Sequence, residues 1–79
     1  MVSAYVFIHT LAGAQPDLRR IHDDLHKVNG VQTVHILTGP TDIVAFAEVA
    51  DLDALGETVA KIRGVKGVGD TDTRLVLPM

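Results

Sequence analysis

The stretch from Asp17 to Val34 recurs, pattern for pattern, 34 positions further along the chain. Leu18, Ile21, Leu25 and Val28 fall on Leu52, Leu55, Val59 and Ile62. Their flanks match as well: Asp17 with Asp51, Lys27 with Lys61, Gly30 with Gly64, Val31 with Val65 and Val34 with Val68. Each apolar set has helical spacing, which predicts a helix with one greasy stripe. Aspartate before the first leucine is a capping residue, and glycine after the last stripe position is a stop signal. Pro16 stands at the first turn of the first helix, where its missing N–H costs nothing. Chance likeness of two amphipathic helices leaves the matching cap, glycine and valines unexplained. Each copy also lies between runs rich in β-branched and aromatic residues: Ala4–Thr10 and Val31–Thr38 around the first, Asp42–Ala50 and Asp70–Leu77 around the second.

Two such units, joined through the Gly39-Pro40-Thr41 turn, predict the order βαββαβ. This is the α+β, ferredoxin-like arrangement, with two helices on one face of a four-stranded antiparallel sheet. The first and third strands lie at its centre and the fourth flanks the first. A sheet covered on one side normally turns a polar face to water. Here both alternating sets are apolar: Ala4/Val6/Ile8 against Tyr5/Phe7, and Ile43/Ala45/Ala47/Val49 against Val44/Phe46. The second face is therefore expected to pack on another copy, making the protein a dimer through its sheet. Size points the same way. A chain of 79 residues without cysteine has a small core and no disulfide to reinforce it, yet 47% of its residues are hydrophobic.

Charge excludes some partners. With a net charge of −3 and seven scattered basic residues, direct binding to nucleic acid is not expected. No apolar run approaches the roughly 20 residues of a membrane span. The first residues, Met1-Val2-Ser3-Ala4, lack the pattern of a secretory signal, so a cytoplasmic location is expected.

No catalytic constellation emerges from motif and spacing. The lone serine, Ser3, has no nucleophile-elbow context, and Gly64, Gly67 and Gly69 follow a helix rather than a strand, as turn residues do. His22 and His26 stand at i, i+4, a spacing that lets two imidazoles share a metal. No further ligand is set by the sequence, so the pair reads as a solvated helix face and no metal or cofactor is expected. Asp42, Thr71 and Thr73 form a better set. A turn carboxylate and two hydroxyls of the same strand parity offer complementary groups to a zwitterion. On spacing alone, the favoured reading is that Asp42 stabilises its own turn and the threonines are ordinary strand residues.

The run Gly39-Pro40-Thr41-Asp42-Ile43-Val44-Ala45-Phe46, followed by Glu48-Val49 and Asp51, resembles the Gly-x-x-Asp turn and apolar strand of the Lrp/AsnC ligand-binding module, called RAM. Ile62-Arg63-Gly64-Val65 leading into Thr71-Asp72-Thr73 is similar to that family's Gly-Val and Thr-x-Thr elements. The resemblance runs over nearly the whole chain. It implies one domain over residues 1–79, the same βαββαβ fold, dimers through the sheet, and assembly of dimers into octamers or decamers. It also implies an effector, commonly an amino acid, bound between dimers by Gly39, Pro40, Thr41, Asp42, Thr71 and Thr73. Two departures stand out. Met1 opens directly on the first strand, so a stand-alone form without the helix-turn-helix is expected, and Thr41 replaces the aromatic that often precedes the aspartate.

The leading expectation is a non-enzymatic effector-binding module acting on partners, a full-length Lrp/AsnC regulator being one. Two other readings stay open. One is a small enzyme of the dimeric αβ-barrel kind, using His9 or His35 as general base. The other is an assembly domain without a ligand.

Overall fold

The computed structural model describes residues 1–11, 17–38 and 41–77. Within them the chain runs β1 (Val2–Thr10), α1 (Leu18–His26), β2 (Val31–Ile36), β3 (Ile43–Val49), α2 (Leu52–Arg63) and β4 (Val68–Leu75). The strands lie in the order β2-β3-β1-β4, and every neighbouring pair is antiparallel. This is the expected ferredoxin-like sandwich with β1 and β3 at its centre. Pro16 and the Gly39-Pro40 pair lie outside the described residues.

Register explains which residues make the core. Ala4, Val6 and Ile8 of β1 pair with Ala47, Ala45 and Ile43 of β3, and all six side chains are fully buried. Directly opposed residues of antiparallel strands share a face. That face meets Ile21 and Leu25 of α1 and Ile62 of α2, which are likewise sealed from solvent. Burial of such side chains, at about 1.5–3 kcal/mol each, is what holds the helices against the sheet.

Both helices begin as their aspartates require. The Asp17 carboxylate accepts the Arg20 backbone N–H at 3.1 Å, and that of Asp51 accepts the Ala54 N–H at 2.8 Å. Beyond this point the repeat slips. Helix α1 has 9 residues and α2 has 12, so α2 carries one extra turn. The chain leaves α1 by Val28 N–H to Leu25 O and Val31 N–H to Val28 O. It leaves α2 by Val65 N–H to Ile62 O and Val68 N–H to Val65 O, the same bonds 37 positions on rather than 34.

Three consequences correct the sequence reading. Gly64 is the C-cap of α2, at ordinary helical φ, whereas α1 is capped by Lys27. The true counterpart of Gly30 is Gly67, and both adopt φ +100°, where a side chain is strained. A Cβ at Gly30 would lie 2.8 Å from Val49 Cγ1 and Thr58 Oγ1, and one at Gly67 would lie 2.8 Å from Ile21 Cδ1. The buried stripe of α2 is Leu55, Thr58 and Ile62, with Val59 beside it. Leu52, expected in the core, is 62% exposed on the added turn. Thr58 can sit where Ile21 sits in α1 because its hydroxyl donates to Asn29 O at 3.0 Å.

Candidate functional site

Asp42 immediately precedes β3 and lies half-buried at the sheet end where β1 finishes. Its Oδ2 accepts the Thr10 backbone N–H at 2.9 Å and the Thr10 hydroxyl at 3.2 Å. Its own carbonyl accepts the Leu37 N–H at 2.8 Å, closing the β2–β3 connection. The carboxylate therefore ties the hairpin to the last residue of the neighbouring strand. That is a wider role than stabilising its own turn, and no local pattern announces it, because Thr10 and Asp42 are 32 positions apart. Among the described residues, Oδ1 takes no part in a hydrogen bond.

Losing these bonds leaves the Thr10 N–H without its acceptor. Asp42→Ala is expected to lower stability by about 1–2 kcal/mol. For a domain of this size that is a fall of roughly 4–16 °C in Tm by calorimetry. Asp42→Asn keeps an oxygen for Thr10 and is expected to lose less than half as much.

The two threonines do share a face, as their parity requires. Thr71 pairs with Ile8 and Thr73 with Val6, which puts both on the helix side of edge strand β4. The Thr71 hydroxyl accepts Arg63 Nε–H at 3.0 Å, tying α2 to β4. Asp42 does not join them within one chain. Alternation assigns it to the set of Val44 and Phe46, on the opposite face, and β1 intervenes between β3 and β4. Two strand spacings amount to about 10 Å. Thr41 adjoins Asp42 and is also half-buried, while Gly39 and Pro40 lie outside the described residues.

The open face of the sheet is built around Tyr5, Phe7, Val44 and Phe46. Tyr5 and Phe46 are register partners whose rings are tilted at 4.9 Å between centroids. The Arg74 guanidinium lies 5.3 Å over the Phe7 ring while holding Asp72 at 3.0 Å. Polar groups rim this patch: the Ser3–Glu48 hydrogen bond at one end, Asp72 and Arg74 along β4, and Thr33 and His35 on β2.

Concavities lie elsewhere as well. A polar cleft of about 310 Å³ opens between α2 and the end of β3, lined by Asn29, Glu48, Glu57, Thr58 and Lys61 among others. An apolar groove of about 510 Å³ is formed by Met1, Val2, Leu52, Leu75, Val76 and Leu77. Sequence reasoning missed this groove, since it expected Leu52 in the core, whereas Leu52 lines the groove beside Met1, Val2 and the residues from Leu75 onward. Among the described residues, no three metal-ligating side chains cluster. No described helix is long and apolar enough to cross a membrane.

The βαββαβ order and the β2-β3-β1-β4 sheet are those of a class of ligand-binding domains. The family model for the Lrp/AsnC ligand-binding domain matches residues 3–78, and the chain belongs to that family. An uncharacterized HTH-type transcriptional regulator of Pyrococcus furiosus is 32% identical over 72 residues, covering 90% of this chain and 48% of that protein. The chain thus spans about half the length of the curated relative it matches. A solved protein of Thermus thermophilus superposes with a TM-score of 0.86 at 26% identity, covering 100% of this chain and 96% of that one. A transcriptional regulator of Neisseria meningitidis, solved as a complex with L-Met, has the same fold, with a TM-score of 0.81 and 24% identity over 96% of this chain and 49% of that one.

Proposed function

We propose that the protein is an effector-binding module that dimerises through its open sheet face and takes an amino acid between neighbouring dimers. The observation that carries this reading is the Asp42 carboxylate: one oxygen is pinned by Thr10, while the other has no partner among the described residues. A ligand ammonium group needs such a fixed, accessible anion. Gly39, Pro40, Thr41 and Asp42 of one dimer would meet the Thr71 and Thr73 hydroxyls of another. Separation of Asp42 from the threonines within one chain supports a shared site over a site inside one subunit. The L-Met complex of a regulator with this fold supports the ligand class.

In this reading the protein is not an enzyme. It acts in the cytoplasm, on a partner such as a full-length regulator of the family. Ligand lodged between dimers stabilises one assembly over another, and that difference in affinity is the signal. The apolar centre of the open face favours this over a barrel enzyme using His9 or His35, which would need polar lining there.

Calorimetric titration with each of the standard amino acids tests the proposal. At least one is expected to bind, and Asp42→Asn is expected to weaken it tenfold or more while the fold stays intact by circular dichroism. Binding by none of them, or equal binding by the variant, would overturn the assignment of Asp42.

A further inference from the structure

We infer that His22 and His26 form a divalent transition-metal site on the outer face of α1. It is independent of the effector site proposed above, and it rests on ring geometry rather than on spacing alone. A metal–nitrogen bond of about 2.1 Å, with roughly 1.2 Å more to the ring centre, places a bound ion about 3.3 Å from each imidazole centroid. A tetrahedral angle at the metal then separates the two centroids by about 5.4 Å. In the protein they are 5.4 Å apart, with the rings tilted by 57°. The centroid separation of the pair is thus the one that a tetrahedral ion demands.

The neighbouring charges complete the argument. His22 Nδ1 lies 3.1 Å from Asp23 Oδ1. A carboxylate only accepts, so Nδ1 carries the proton and donates, leaving the lone pair on Nε2 for a metal. A carboxylate behind a ligating histidine is the usual outer-shell support, and it fixes the tautomer and the orientation of the ring. Asp24, the next acid, is instead occupied by Arg20 at 2.7 Å, so that guanidinium does not compete for Asp23. His26 is exposed at the last turn of the helix and open to an ion. Two imidazoles suit zinc, nickel or copper rather than magnesium or calcium. With two protein ligands the remaining positions fall to water, which makes the site exchangeable.

The test uses untagged protein in chelator-free buffer. Zn²⁺ is titrated calorimetrically, and Ni²⁺ is added in a parallel experiment that follows the four histidine ring signals by NMR. One Zn²⁺ per chain is expected. His22→Ala and His26→Ala are each expected to weaken binding at least 30-fold, and Asp23→Asn about 10-fold, the range for lost outer-shell support. Ni²⁺ is expected to broaden His22 and His26 before His9 and His35. Single-histidine variants within threefold of the wild type, or broadening of all four rings together, would show that the pair does not act as a chelate. Because these side chains lie on the surface, the variants are expected to remain folded.

Discussion

Phe46→Asp is expected to yield a folded monomer where the wild type sediments as a dimer or larger at micromolar concentration. Phe46 sits at the middle of β3 on the open face, against Tyr5 and next to the pair Phe7 and Val44. In the proposed dimer this patch is covered by its own copy across a two-fold axis, so each interface would receive the new carboxylate twice. A buried, unpaired charge costs several kcal/mol, and two facing like charges add to it. The helix-side core is untouched by the substitution, since Ala45 and Ala47 point the other way. The circular dichroism spectrum should therefore survive while the sedimentation mass halves or falls further. A wild type that is already monomeric would remove both the dimer and the shared effector site.

The second large effect concerns the core. Leu25→Ala is expected to destabilise the protein by about 2–5 kcal/mol, because a fully buried leucine leaves a cavity as well as losing its transfer energy. A core of this size supplies roughly 3–5 kcal/mol in all, so denaturant titration should find the variant at or past its midpoint without denaturant. Leu52→Ala is the informative contrast. The repeat makes Leu52 the counterpart of Leu18, but it stands largely exposed on the extra turn of α2. Its truncation should cost less than about 1 kcal/mol. Equal losses at the two sites would mean that α2 lacks the three-residue slip.

Much of the fold was legible because it rests on short-range periodicity. The alternation of Ala4/Val6/Ile8 against Tyr5/Phe7 describes two faces of a strand without knowledge of its neighbours. The aspartate caps of both helices act within one turn of themselves. The slip between the repeats was not legible, since helical spacing in α2 accommodates Leu52, Leu55, Val59 and Ile62 as well as it does Leu55, Thr58 and Ile62. Which set faces inward depends on where the chain re-enters the sheet. A threonine in the buried set also has no apolar signature. It is tolerated only because Asn29 O, in the other half of the chain, accepts its hydroxyl.

The candidate site divides in the same way. Asp42 at a Gly-Pro turn and two threonines of equal parity were visible as residue types. The bond from Thr10 to Asp42 was not, because it depends on how the end of β1 lies beside the start of β3, although the expected strand order already put β1 between Asp42 and the threonines.

By itself the chain's sequence determined which residues are strand and helix, and that the sheet would have two apolar faces. Local backbone preference and side-chain alternation need only a few neighbouring residues to act. Tertiary structure alone decided the inward face of α2 and the anchoring of the Asp42 carboxylate. Each of these is a distance or orientation in space that spacing along the chain does not specify.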